Sequence, residues 1–397
     1  MKYGTASLWS FGLLMLPGSA LAACCGRLQS KPWMRTAVLL FWFVLAGGGF
    51  HLFHAFKPKL VATVAPPSAD LAAARAPSGG HALFGLGAEG QDIFRIPLPD
   101  RGHAAAAHPI APEAVAFARR PGRFALVIDC LVGREIRRLD APEGRHFYGH
   151  GAFLAGGDIL ATSENEIETG AGMIGLWSRA DGYARIGEYR SGGIGPHEIK
   201  ALPGDVLAIA NGGIRTHPDH GRDKLNLATM RPNLSYLSTR GEMLEQVELP
   251  PELWRNSIRH LAVAPDGQVA FAMQWQGAPE DGVPLLGLHR RGAAPVLAEA
   301  GLAEQMAMQG YAGSIAFSAE GAQVGITSPR GGRLHVFDTQ GQFLAVHHRA
   351  DICGLAAGAR GFLATDGLGG VLQGDAARLS PLTRADRAWD NHLVRIG

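Results

Sequence analysis

Concentrated charge is missing from this chain. Only 18% of its 397 residues are charged, the formal charge is +2, and no basic run stands out. A nucleic-acid binder normally gathers its cations on one face, so that class is disfavoured. Cysteine is scarce too, four in all. Beyond the N-terminal region only Cys130 and Cys353 remain, without metal-type spacing. They read as small buried apolar side chains, with a disulfide as the alternative. Long helical stripes are absent. So are a phosphate loop, a nucleophile elbow and a zinc-protease helix, and a catalytic claim therefore has no motif to start from. What the chain has is 47% hydrophobic residues and 54 glycines, enough to build a core punctuated by many turns.

Two apolar segments precede anything that resembles a folded domain. Leu8 to Ala23 follows Lys2 and ends in Leu21-Ala22-Ala23-Cys24, which reads as a lipoprotein or signal-peptidase cleavage box. Ala37 to Phe50 follows Lys31 and Arg35 and is short for a span of roughly 20 apolar residues unless it extends to Phe56. A start at Met34 would give one ordinary leader, and a buried helix pair is the bland alternative. The reading is an exported, periplasmic protein, either cleaved or tethered to the inner membrane through residues 1–60. Residues 61–80 are rich in Pro, Ala, Ser and Gly and read as a tether, and residues 81–397 as the folded part.

Beyond residue 80 the apolar runs are short and separated by tight glycine turns, a β pattern. Aligned on the turn, "YGHGAFLAGGDILATSEN" from Tyr148, "GPHEIKALPGDVLAIANG" from Gly195, "IRHLAVAPDGQVAFAMQW" from Ile258 and "AGSIAFSAEGAQVGITSP" from Ala312 superimpose without a gap. Weaker copies start at Glu113 and Ile352, and a truncated one at Asp390. Seven copies at blade-sized intervals predict an all-β, seven-bladed β-propeller. Its last blade joins the C-terminal strand to strands from His81 onward and so closes the ring. A β-sandwich and an eight-bladed ring are the alternatives.

One repeat position carries His150, His197, His260 and His392, with Ser314 and Gly354 in two further copies and Glu113 or its neighbour in the first. Because the first strand of each blade lines the central channel, these residues are expected to form a ring around it. Fourteen residues on stand Glu164, Asn211, Gln274 and Ser328, with Asp366 near the same place, an expected second polar layer. Neutral imidazoles beside carboxylates suit a transition metal such as iron or copper. A small polar or anionic ligand and a purely structural network between blades are the competing readings. The insertion from Gly212 carries Arg215, His217, Asp219, His220, Arg222 and Lys224 and is a second candidate site. Its arginines offer bidentate contacts to a carboxylate or phosphate, and His217 with His220 a weaker metal pair. Arg259 and Arg330, near strand ends, are expected at the same cavity. Trp177, Trp254, Trp275 and Trp389 read as blade packing.

On "YGHGAF", "TSENEIETGAGMIGLW", "RIGEYRSGGIGPHE", "ANGGIRTHPDHGRDKLNLATM", "SIRHLAV", "TSPRGG" and "DNHL" the chain resembles a bacterial family of exported propellers, domain of unknown function fifteen-thirteen. The resemblance implies a periplasmic WD40-like or quinoprotein-dehydrogenase-like propeller whose neighbours are imelysin-type iron-regulated proteins. That suggests metal handling at the envelope. Many relatives carry a twin-arginine leader; no Arg-Arg pair precedes either apolar segment here. The leading expectation is a non-enzymatic binder of a metal, a small ligand or an envelope partner. The alternative is a lactonase-like or redox enzyme on the same face, with a ring histidine as base and Glu164 or Asp366 assisting.

Overall fold

The computed structural model describes residues 69–396, so the two apolar segments lie outside the described residues. Among the latter, no helix is long and apolar enough to cross a membrane. Seven four-stranded antiparallel sheets surround one axis. The six blades formed by continuous stretches of chain begin with the inner strands Gly102–Ala107, Arg145–Leu154, Pro196–Leu202, Asn256–Val263, Ser314–Phe317 and Ile352–Ala357. The seventh takes its inner strand from the C-terminus, Ala388–Ile396, and its other three from Ala69–Arg75, His81–Leu86 and Asp92–Leu98. Ala69 opposes Ile396 and Arg75 opposes Ala388, so the two ends of the chain are stitched antiparallel and the ring has no open seam. The propeller thus begins at residue 69, twelve residues earlier than the composition suggests. "ADLAAAR" is too poor in β-branched residues to look like a strand, yet pairing on both sides holds it in one.

The interior is seven separate cores, each at the interface of two adjacent blades. Phe117 and Val127 of the first blade meet Phe147 and Trp177 of the second. Tyr236 of the third meets Phe271 and Met273 of the fourth. Leu71 of the seventh meets Leu126 and Ile128 of the first. Cys130 and Cys353 are free, buried in two different cores, and burial pushes both thiols up to about 12. Such thiols are protonated and inert at neutral pH.

Two histidines outside the ring make the fold acid-sensitive. His146 is buried beside the Phe147 carbonyl, and His335 in the fifth blade beside Glu304 Oε2 at 3.1 Å. Burial lowers both to about 4, against about 6.5 in an unfolded chain. The folded state therefore binds fewer protons than the unfolded one between these values. Stability from these two groups is full above pH 6.5 and is lost as pH falls toward 4. Asp70, raised to about 6 by burial, has the opposite sign, losing its contribution as pH rises through 6. Thermal midpoints measured from pH 7.5 to 4.5 should fall, and His335→Leu should flatten the profile.

Candidate functional site

The innermost strands are not regular. In six of the seven blades the ladder between first and second strand slips at the ring position. The slip lies between Gly102 and Ala105, Phe147 and Gly151, Pro196 and Glu198, Ile258 and His260, Ile352 and Leu355, and, in the seventh blade, Trp389 and Leu393. A bulge releases one residue from the ladder and re-aims its side chain. Four of these bulges release a histidine; the fourth blade's releases Arg259, and His260 beside it pairs with Ala272. His103, His150, His197, His260 and His392 converge on the axis with neighbouring ring centroids between 4.4 and 5.9 Å apart. The fifth blade has no bulge and offers Ser314. In the sixth, a Cβ on Gly354 would lie 2.5 Å from Thr365 Oγ1, so that position admits no side chain.

His103 takes the place expected for Glu113. The hairpin starting at Glu113 is the second and third strand of its blade; the inner strand is "GHAAAA" before it. Glu113 lies in another setting, bound by Arg179 at 2.5 and 3.0 Å and by the Tyr183 hydroxyl at 2.8 Å. His103 is fixed by its neighbour. Gly149 has φ +94°, and a Cβ there would sit 2.4 Å from His103 Cδ2. Gly149→Ala is expected to displace that ring and to strain the bulge that carries His150.

Ligand-capable atoms lie within 4.8 Å of one another in two triads, His103–His150–His197 and His150–His260–His392, which share His150. Each of the five rings keeps a buried nitrogen without a hydrogen-bond partner among the described residues: Nδ1 of His103, His197 and His260, Nε2 of His150 and His392. Burial, reinforced by the neighbouring rings, pushes His103, His197 and His392 well below 6.5, and burial holds His260 down at about 4. Neutral imidazoles with free lone pairs are the state in which histidine binds metal.

Beneath the ring sits Glu198, which sequence reasoning did not single out. Its carboxylate is 3.6 Å from His150 Nδ1 and 3.3 Å from His260 Nδ1, the latter without the alignment of a hydrogen bond. It accepts the Leu261 amide at 3.1 Å and pairs with Lys200 at 2.8 Å. Burial opposes its charge, but Lys200 and His150 outweigh burial and hold the carboxyl well below the usual carboxylate range. A carboxylate on Nδ1 leaves Nε2 of His150 facing the axis, the arrangement that orients and strengthens a metal-ligating imidazole.

The expected second polar layer does not form around the axis. Glu164 is gripped by Arg185 at 2.7 and 3.0 Å, and Asn211 by Ser191, Asn233 and Ser235. Gln274 and Ser328 bond the carbonyls of Ala312 and Met308. Asp366 is taken by Arg349 and by the amides of Leu368 and Gly370. Glu164 and Asn211 tie strands of their own and adjoining sheets together, and the others fasten turns or loops beside their strands. In the long insertion, His217 Nδ1 accepts the Asp219 amide at 3.2 Å and the His220 ring is 5.6 Å away. The pair joins neither triad. Arg215 donates to the Glu168 carbonyl, and Arg222 is exposed.

Arg259 stands beside His260 on the inner strand of the fourth blade, and Arg330 follows the second strand of the fifth, Gln323–Ser328. Arg259 Nε is buried and unpartnered, and burial lowers its guanidinium below the ordinary value. The Arg330 guanidinium lies 4.4 Å over the Tyr311 ring, whose hydroxyl accepts from Asn391 at 3.1 Å. Trp177 and Trp389 are core residues and Trp275 packs against the core between the fourth and fifth blades while its indole N–H bonds Asp281, whereas Trp254 is stacked with Arg255.

Residues 96–396 match a family model described as "Protein of unknown function (DUF1513)". Hydrazine synthase of Kuenenia stuttgartiensis is similar in structure, at 11% identity and a TM-score of 0.55, over 83% of this chain and 99% of that one. A protein of unknown function from Bacteroides caccae is 12% identical over 71% of this chain and 94% of its own, with a TM-score of 0.44. At 11% identity the likeness to the first shows the propeller fold alone. No match was found among the curated proteins.

Proposed function

From the premise that the chain belongs to the DUF1513 family, which carries no assigned activity, we propose that it is a non-enzymatic propeller that binds a transition-metal ion on its axis through the histidine ring. One observation carries the reading: five imidazoles from five blades, each with a buried nitrogen that has no hydrogen-bond partner among the described residues, form two triads within ligand reach that share His150. In a ring whose only role is to join blades, those nitrogens would be hydrogen-bonded, because each orphaned buried polar atom costs about 1–3 kcal/mol. A shared ion satisfies several at once. Metal–imidazole bonds of roughly 2.1 Å put tetrahedral ligand nitrogens about 3.4 Å apart. Triads already within 4.8 Å close to that distance by rotation of rings.

Imidazole-only coordination suits iron, copper, zinc or nickel, and iron or copper is the assignment made here. The carboxylates that would assist hydrolysis, Glu164 and Asp366, are taken up by arginines, which supports binding over catalysis. The apolar segments before residue 60 support a periplasmic setting, free or membrane-tethered, where the protein would exchange metal with imelysin-type envelope proteins.

The test is metal content by plasma mass spectrometry on the full chain purified without chelator, then reconstituted separately with iron, copper and zinc. About one ion per chain is expected. No retention of any of the three after desalting would refute the reading. Glu198→Gln keeps the shape but removes the charge that orients His150, and should weaken metal binding by about 10–100-fold in a competition titration.

A further inference from the structure

The two ends of the channel differ in charge. The end below Glu198 opens into a cavity of about 770 Å³ whose charged lining is mixed: Lys200 and Arg395 with Asp266 and Glu320. The end above the ring is cationic. Arg101 and Arg119 reach Asp390 at 2.6 and 3.5 Å, two residues before His392. Asn391 next to it bonds Tyr311, on which Arg330 stacks. Arg259 adjoins His260 and leaves its buried Nε without a partner. The His260 and His392 rings are 4.7 Å apart, so Arg259, beside the first, and Arg330, tied through Tyr311 and Asn391 to the second, flank one part of the ring; Lys224, on the long insertion, is exposed, and partial burial and then the charges of these two arginines lower its ammonium. Lys224, Arg259 and Arg330 pair with no carboxylate of the described residues.

Cations held together without counter-charge repel one another, an arrangement that persists only where the surroundings impose it and that an anion relieves. It also repels a bare metal cation. We infer that this mouth binds a di- or tricarboxylate anion, the co-ligand with which the metal on the histidine ring is held. This rests on the metal reading above. Three features select a polycarboxylate. The unpaired guanidiniums come from the fourth and fifth blades and the ammonium from the third-blade insertion, so a molecule with more than one carboxylate can engage them together. Guanidinium forks match carboxylates bidentately. The site also adjoins the ring, where a second carboxylate of the same molecule can reach the ion left incompletely liganded by imidazoles on the side of Ser314 and Gly354.

The experiment is isothermal titration of the full chain, kept soluble in mild detergent, with citrate as probe, in the absence and presence of saturating Zn²⁺. Inorganic phosphate serves as the comparison anion. Citrate should bind the metal-free protein and bind at least tenfold tighter with zinc present. Arg259→Gln with Arg330→Gln should weaken citrate by about tenfold or more while the affinity for Zn²⁺ alone does not fall, since the substitutions remove cations that repel the ion. Equal citrate binding by wild type and double variant, no citrate binding at all, or phosphate binding as tight as citrate would overturn the inference. Citrate binding that depends on the arginines in a protein that holds no metal would support the mouth and sink the ring reading instead, so the two failures are separable.

Discussion

His150→Ala should abolish metal binding, lowering affinity at least a hundredfold, while His103→Ala and His392→Ala should each cost about tenfold. The asymmetry follows from geometry. Both triads within ligand reach contain His150, so its loss leaves, among the described residues, no three histidines that close on one point. Loss of His103 or His392 breaks one triad and leaves the other. Two imidazoles are too few for a stable site, since structural sites take four protein ligands and open sites three. The ring is also expected to survive: the blade cores are at the blade interfaces, not on the axis, and circular dichroism with a thermal scan verifies folding in the same samples. Equal losses for all three variants would mean the rings act as a network rather than as ligands.

Glu164→Ala should be the most damaging change to stability, costing about 3–5 kcal/mol and lowering the thermal midpoint by roughly 10 °C. The carboxylate is fully buried. Arg185 grips both of its oxygens, Arg145 approaches to 3.6 Å, and Thr162 donates to it at 2.8 Å. Removing it leaves two largely buried guanidiniums facing each other with Glu188 as their remaining partner. Metal per folded molecule should stay unchanged, because Glu164 belongs to the second blade's sheet and not to the axis. A metal loss in a folded Glu164 variant would return it to the site.

The ring was legible where the repeat was strong. Four copies align without a gap, and a shared register becomes a shared cavity once strands are wrapped around an axis. That register yields His150, His197 and His260, and the truncated final copy yields His392. His103 was hidden for a physical reason: its strand, "GHAAAA", lacks the β-branched and aromatic residues that mark strands, and the hairpin after it imitates an inner hairpin. The signal that would have found it is the Gly-His-small pattern shared by Gly102-His103-Ala104 and Gly149-His150-Gly151, together with the need for one more strand in that blade. The same composition hid the strand from Ala69. Glu198 and the orientation of every ring depend on bulges, and a bulge breaks the period of two on which strand reading relies. The second polar layer failed because strand ends in a propeller also carry the caps of tight turns, as Ser328 and Asp366 do, or tie strands together, as Asn211 does.

The central claim is that imidazoles from several blades share one ion. X-ray absorption at the metal edge of the reconstituted full chain tests it most directly. The account predicts three or more nitrogen scatterers near 2.0–2.1 Å, with the outer-shell pattern of imidazole, lost in His150→Ala. A first shell of oxygen alone, unchanged in that variant, would contradict it.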